Sequence, residues 1–145
     1  MSVNYYEINK RAVDLFLSIK KHTTLIDKKL QALVEIRVSQ INGCAFCIDL
    51  HLREARRLGM RQQVLDCLPE WRGSLLFTEN ESIALDWAES VTNISTEPAI
   101  EDKLIILLSH FSEAEAVDLT LIISLMNSLN RLSISFGDKP VLHGA

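Results

Sequence analysis

Two cysteines and a histidine, Cys44, Cys47 and His51, are spaced C-x-x-C-x-x-x-H in the first half of the chain. Residues three or four apart meet across one turn of a helix, so this spacing predicts two thiols within reach of each other. The imidazole of His51 is expected one turn beyond Cys47 on the same face. Gly43, just before the motif, permits a tight backbone turn. The pattern is that of a redox dithiol with a base beside it.

The chemistry that suits these residue types is that of the thiolate, which is the nucleophilic form of cysteine. A helix N-terminus, a second thiol and an adjacent histidine each favour the anion. A thiolate that attacks a peroxide becomes a sulfenic acid, and a second thiol within reach then closes a disulfide. An external dithiol has to reduce that disulfide by exchange before the next cycle.

Two questions stay open at the level of the residues. The helix dipole favours Cys44 as the attacking thiolate, whereas the imidazole four residues further on favours Cys47. A zinc site is an alternative to redox chemistry, because Cys44, Cys47, His51 and Cys67 formally supply four ligands, and inert packing of the thiols is a third reading. Cys67 lies in an apolar run and is better explained as a core residue.

Composition and charge narrow the class of protein. The chain has 145 residues, 48% of them hydrophobic, which suits one domain over residues 1–145 with a substantial core. The net charge is −4 and the basic residues are scattered, so we expect no nucleic-acid partner. Because the N-terminus has no basic region followed by an apolar run, we expect no secretory signal and a cytoplasmic location, where a C-x-x-C pair is catalytic or metal-binding more often than structural.

The elements that must position the thiols are all predicted to be helices. Apolar residues recur at helical spacing, and no stretch alternates every second residue between turn residues. Asp27 suits a helix N-cap, and Thr78–Glu81 and Ser112–Glu115 have the capping-box pattern. We therefore predict an all-α single-domain bundle, with helices over residues 5–19, 27–41, 44–58, 61–68, 78–92, 101–110 and 113–136.

The first and last helices carry the clearest expectations about burial. In the first, an apolar stripe is expected to face the core and Lys20 the solvent; the stripe comprises Ile8, Ala12, Leu15, Phe16 and Ile19. The last helix is apolar on nearly every face, which places it in the core or in a subunit interface rather than across a membrane. Asn127, Asn130 and Arg131 on that helix need polar partners wherever they are buried.

The segment EIRVSQINGCAFCIDLH, from Glu35 to His51, resembles the carboxymuconolactone decarboxylase / alkylhydroperoxidase D-like family. The similarity continues through W-R-x-S-x-L-F-T-x-x-E at residues 71–81 and through N-R-L at residues 130–132. The resemblance implies a helical bundle of the alkylhydroperoxidase D-like type that forms a homo-oligomer, a trimer or a hexamer. It also implies that Cys47 is attacked by peroxide, that Cys44 resolves, and that His51 belongs to a proton relay.

The chain departs from the family pattern at two positions. The relay glutamate that relatives carry twelve residues before the first cysteine is replaced here by Ala32. Glu35, three residues further on and adjacent in face, is the candidate replacement. Phe46 stands where some relatives have a histidine between the cysteines. Members of the decarboxylase branch typically lack the cysteine pair, so the resemblance argues against lactone decarboxylation.

The sequence thus predicts a thiol-dependent peroxidase that reduces alkyl hydroperoxides in antioxidant defence. Its expected partners are a hydroperoxide substrate, an external dithiol or disulfide reductase as electron donor, and further copies of the chain. No cofactor, no metal and no membrane is expected. The alternative is a thiol–disulfide redox protein or sensor without peroxidase activity, which the loss of proton-handling groups at Ala32 and Phe46 favours.

Overall fold

The computed structural model describes residues 1–144, in which all regular secondary structure is helical and there is no strand. Two short 3-10 helices, Ile19–Lys21 and Leu68–Gly73, accompany eight α-helices. These are α1 (Tyr5–Ile8), α2 (Lys10–Ser18), α3 (Lys28–Asn42), α4 (Ala45–Arg57), α5 (Gln62–Cys67), α6 (Glu79–Thr92), α7 (Ile100–Leu108) and α8 (Glu113–Phe136). The prediction of an all-α chain is confirmed.

Helix ends follow the local signals in the sequence. Asp27 caps α3 by accepting hydrogen bonds from the backbone N–H groups of Lys29 and Leu30. Both capping boxes form, at Thr78 before α6 and at Ser112 before α8. Such caps satisfy backbone donors that have no partner inside the helix, so a few local residues decide where each helix begins.

The central element is α3, which packs against α4, α6 and α8. One hydrophobic cluster joins α3 to α6 and α8 and includes both Cys44 and Cys47; a second joins α3 to α4, α5 and the second 3-10 helix. Fully buried leucine and isoleucine side chains contribute about 1.5–3 kcal/mol each to folding. The thiols therefore lie at the edge of a packed core, held between the central helix and α8. Trp71 and Trp87, expected in the core, are both buried.

A polar network crosses this core between α3 and α8. Asn130 is fully buried; its Nδ2 donates to Ser39 Oγ at 3.1 Å, and its Oδ1 accepts from Asn42 Nδ2 at 3.0 Å. The same Asn42 amide donates to Asn127 Oδ1 at 2.9 Å. The expectation that Asn127 and Asn130 find partners on a neighbouring helix is confirmed. The third residue, Arg131, is instead exposed and donates to the backbone oxygen of Asn127 in its own helix.

The single helix predicted over residues 5–19 is wrong in two respects. It is divided into α1 and α2 because Asn9 ends the first and its side chain caps the second, accepting from Ala12 N–H. The face turned to the core carries Val13, whereas Ile8 and Leu15 are 75% and 67% exposed and Phe16 is 41% exposed. The expected buried stripe is thus largely an exposed apolar surface of α1 and α2, and Val13 is the residue of α2 that packs inward.

Helix α8 is long and apolar enough to span a membrane by length and composition alone. In this chain it is a core helix, because Leu119, Ile122, Ile123 and Met126 pack into the first hydrophobic cluster. Its outer face remains at the surface, where Val117 and Leu121 are exposed. The expectation of a buried helix therefore holds for one face of α8 only.

Candidate functional site: a disulfide beside a buried histidine

Cys44 and Cys47 form a disulfide at the start of α4, with their Cα atoms 5.3 Å apart. Gly43 ends α3 in a left-handed conformation, with φ of 70°, and Cys44 follows in an extended conformation. Cys44 is the N-cap of α4, and its sulfur accepts a hydrogen bond from Cys47 N–H at 3.4 Å. The expected bridging of the two sulfurs is therefore present. The expectation that all three motif residues lie within one helix is wrong for Cys44. This residue precedes the first turn of α4, because it belongs to the connection that follows α3.

Both cysteines are buried, at 2% and 3% exposure for Cys44 and Cys47, yet their surroundings differ. Cys47 lines a cavity of about 420 Å³, which we call the reaction cavity, and Cys44 does not. The walls are mostly apolar and aromatic; they comprise Asn4, Tyr5, Tyr6, Val13, Leu17, Lys20, Phe46, Cys47, Leu50, His51, Glu54, Met126, Leu129, Ser133 and Asp138. A molecule in this cavity meets Cys47 rather than Cys44.

His51 lies one turn beyond Cys47 in α4, and its side chain is almost fully buried. Its Nδ1 is 2.8 Å from Glu54 Oε2 and 3.4 Å from Glu35 Oε2. Ionised carboxylates only accept hydrogen bonds, so this arrangement assigns a proton to Nδ1. Nε2 is then the unprotonated ring nitrogen in the neutral form, and it is the one available to take a proton from a thiol.

Glu35 is buried at 3% exposure on α3, and the structure brings it to His51 as the sequence analysis expected. Its Oε2 also accepts from Lys20 Nζ at 2.8 Å. A buried carboxylate is costly unless it is paired and hydrogen-bonded, and Lys20 and His51 together meet that need. Lys20 belongs to the 3-10 helix Ile19–Lys21 rather than to a solvent-facing helical turn, so its expected solvent exposure is wrong.

Glu54 is a second site residue that the sequence analysis missed. It lies three residues after His51 on the same helix, so the spacing H-x-x-E was the signal that could have identified it. The hydrogen bond from His51 holds the pKa of the Glu54 carboxyl below its usual range, against the opposing effect of burial, and the charges of Lys20 and Arg57 act in the same direction as His51. Glu54 is therefore ionised at neutral pH.

The two departures from the family pattern have different consequences in the structure. Ala32 is buried on α3, one turn before Glu35, and it lines a second cavity next to that carboxylate. Glu35 reaches His51 from this neighbouring position, so the substitution at Ala32 leaves a carboxylate beside the imidazole. Phe46 lines the reaction cavity and contributes an apolar surface there. The site thus retains its carboxylate–imidazole contact.

The zinc alternative finds no support in the arrangement of its four ligands. Cys44 and Cys47 are bonded to each other, and Cys67 is half-buried on α5 without a close partner from the motif among the described residues. The group of potential ligand atoms that does converge is formed by Glu35, His51 and Glu54. There the ammonium group of Lys20 and the Nδ1 proton already neutralise the carboxylates.

Comparisons with known proteins agree with this description. Residues 8–90 match the model of the carboxymuconolactone decarboxylase family. The uncharacterized protein YdfG of Bacillus subtilis is 37% identical over 139 residues, which are 94% of this chain and 95% of that protein. A crystal structure of a protein of unknown function from Agrobacterium tumefaciens, provisionally assigned as the antioxidant defence protein AhpD, superposes with a TM-score of 0.91 at 32% identity and covers 97% of this chain and 99% of its own.

A further comparison, with a more distant structure, supports a shared fold only. An uncharacterized peroxidase-related protein from Silicibacter superposes with a TM-score of 0.81 at 22% identity, covering 94% of this chain and 73% of its own. At that identity the helical arrangement is shared, and residue roles do not transfer.

Proposed function

The chain belongs to the carboxymuconolactone decarboxylase family, and from that premise we propose that it is an AhpD-like thiol peroxidase that reduces organic hydroperoxides. The observation that carries the proposal is a Cys44–Cys47 disulfide next to a mostly apolar cavity, with His51 held between two carboxylates. A disulfide of this kind is the oxidised state of the proposed cycle.

Cys47 is the proposed peroxide-attacking residue, because it lines the reaction cavity and Cys44 does not. It also lies in the first turn of α4, where the helix dipole favours an anion. His51 takes the proton of the Cys47 thiol at Nε2. The thiolate then attacks one peroxide oxygen, the O–O bond breaks, and the proton passes to the departing alkoxide, leaving a sulfenic acid and an alcohol.

Cys44 is the proposed resolving residue. Its thiol condenses with the Cys47 sulfenic acid, which forms the S–S bond and releases water. An external dithiol, which becomes oxidised, reduces the pair by exchange. No step requires a metal or an organic cofactor.

The walls of the reaction cavity support an organic hydroperoxide as substrate. Phe46, Leu50, Met126 and Leu129 offer apolar surface close to Cys47, which suits a hydrocarbon group attached to the peroxide. Burial of such a group excludes water from the sulfur while the O–O bond breaks. Hydrogen peroxide lacks this group and is expected to be the poorer substrate.

Replacement of each cysteine in turn tests the proposed peroxidase. C47S is expected to abolish consumption of cumene hydroperoxide in the presence of a dithiol, since no thiolate remains at the cavity. Without added dithiol, C44S is expected to consume about one equivalent per chain and then stop, with a sulfenic acid detected by mass spectrometry, because no resolving thiol is left to condense with it. C67S is the matched control and should behave like the wild type. Unchanged turnover in C47S would refute the assignment.

A thiol–disulfide redox protein without peroxidase activity is the second candidate, and Phe46 is the observation that favours it. Phe46 brings no proton donor to the reaction cavity at the position where some relatives have a histidine. The discriminating measurement compares two rates of oxidation of the reduced protein. Rapid oxidation by a protein disulfide with negligible consumption of hydroperoxide would select this candidate.

A further inference from the structure

A second cavity of about 440 Å³ adjoins the reaction cavity and shares two residues with it, Lys20 and Glu54. Its other lining residues come from α3 and the end of α4, and include Ala32, Glu35 and Arg57. The second cavity contains neither Cys47 nor His51 among its lining residues. The side chains of Lys20 and Glu54 therefore form part of the boundary between the place where the sulfur reacts and a separate, charged opening.

The two carboxylates that contact His51 Nδ1 differ in their access to solvent. The Glu35 side chain is 4% exposed and its charge is already held by Lys20, whereas the Glu54 side chain is 42% exposed. Glu54 is also the closer of the two to Nδ1, at 2.8 Å against 3.4 Å. Of the two groups that can accept the Nδ1 proton, Glu54 is the one connected to water.

We propose that Glu54 is a positioning residue that holds His51 with Nδ1 protonated and exchanges that proton with solvent in the second cavity. The proposal rests on the proposed peroxidase for its kinetic consequence. In this proposal Glu54 acts through the imidazole of His51, which it contacts at Nδ1.

The proton transfers of the proposed reaction define what Glu54 does. When Nε2 receives the proton of the Cys47 thiol, the ring becomes an imidazolium, and the two carboxylates stabilise that charge. If the imidazolium then loses its Nδ1 proton to solvent through Glu54, the ring becomes neutral again and Cys47 remains a thiolate. In the reverse direction, a proton returns from solvent to the ring, and Nε2 delivers it to the alkoxide formed when the O–O bond breaks.

A purely structural explanation treats His51–Glu54 as an ordinary contact between residues three apart on a helix. Exposed pairs of that kind contribute little to stability. This imidazole is buried, however, and within residues 1–144 no other carboxylate with solvent access contacts it. The structural explanation therefore predicts little change in turnover when Glu54 is replaced, and the two interpretations can be separated by experiment.

The experiment compares E54A and E54Q with D49A in assays of cumene hydroperoxide consumption. Asp49 is the matched control, because it lies on the same helix and contacts a histidine, His143, at 2.9 Å, but on the exposed surface. We expect kcat to fall about tenfold or more in both Glu54 variants with KM changed less than twofold, and D49A to match the wild type.

Chemical rescue separates proton exchange from hydrogen bonding. Formate is small enough to enter the space vacated in E54A and should restore much of the lost kcat. It should not restore E54Q, whose amide fills the space and accepts a hydrogen bond but takes no proton. Wild-type kcat in E54A, or a loss that formate leaves unchanged in E54A, would overturn the proposal.

A second readout does not depend on peroxidase activity. Nitrogen-15 NMR of the His51 ring in the oxidised protein should report the Nδ1–H tautomer in the wild type and a mixture of tautomers in E54A, with D49A like the wild type. If the wild type consumes no hydroperoxide, the proposed function fails and this readout alone decides the role of Glu54. An unchanged tautomer in E54A would then refute it.

Discussion

Two carboxylates meet a single imidazole nitrogen in this site, and one of them is deeply buried. Glu35 is 3% exposed, and Lys20 Nζ and His51 Nδ1 both lie near its Oε2. Burying an ionised group without a partner costs several kcal/mol, so these contacts decide whether Glu35 can act at all. At the scale of the residue, the proposed function therefore depends on Lys20, which belongs to a different helix from Glu35 and His51.

Replacement of Lys20 by methionine tests this dependence. K20M should lower the free energy of unfolding by about 2 kcal/mol, since it leaves the buried Glu35 carboxylate with one partner fewer. The lysine side chain is 29% exposed, which keeps the loss below that of a fully buried pair. Urea denaturation at neutral pH measures the change.

Two further variants serve as controls for that prediction. K10M removes the exposed pair between Lys10 and Asp14, at 2.6 Å, and should leave stability nearly unchanged. K20M/E35Q removes the charge together with its partner and should recover at least half of the loss. A K20M protein as stable as K10M would contradict the argument.

At the scale of the elements, the turn between α3 and α4 places the two cysteines close enough to form their disulfide. Gly43 ends α3 with φ of 70°, and Cys44 N–H then donates to the backbone oxygen of Ser39 at 3.0 Å. This places Cys44 at the N-cap of α4, where its sulfur meets the first turn and Cys47. The left-handed conformation of Gly43 therefore helps to place Cys44 where it can bond to Cys47.

Substitution of Gly43 by alanine should lower the free energy of unfolding by about 1 kcal/mol. The cost comes from the backbone alone, because a Cβ atom at Gly43 meets no heavy atom within 4 Å. Gly73 is the matched control, since it has the same open surroundings without a positive φ, and G73A should be close to neutral. Thermal and urea denaturation of both variants measure the difference; equal effects would show that the left-handed turn is not the cause.

At the scale of the whole molecule, large apolar side chains are exposed on several helices of the chain. Exposed apolar side chains lie on α1 and α2 and on the outer faces of α7 and α8; they include Ile8, Leu15, Phe16, Ile105, Val117 and Leu121. A mostly apolar groove of about 470 Å³ runs between α7 and α8, away from the dithiol. We propose that these surfaces are covered by further copies of the chain, in the trimer or hexamer that the family resemblance implies.

Charge substitutions on α8 test this proposal. Light scattering of the wild type should give the mass of an oligomer, and V117E/L121E should shift it to smaller species, because glutamates cannot be buried in an apolar contact. Leu75, fully exposed in the loop before α6, supplies the control, and L75E should leave the mass unchanged. A wild-type protein of 16.4 kDa in solution would end the proposal.

The sequence by itself determined what depends on neighbours along the chain. The C-x-x-C-x-x-x-H spacing predicted that the two sulfurs would bridge and that His51 would follow one turn later, because contacts over three or four residues are set by helix geometry. The helix starts at Asp27, Thr78 and Ser112 were equally local, since each cap bonds to its own first turn.

Only the tertiary structure decided the contacts made between elements. Whether Glu35 could reach His51 depended on the packing of α3 against α4, and the approach of Lys20 depended on the 3-10 helix after α2. Which face of α2 packs inward depended on the contacts of Val13 with the rest of the chain, and the amphipathic pattern did not predict it. Such contacts arise from the packing of the whole core, in which many distant side chains share one arrangement, so no short stretch of sequence contains them.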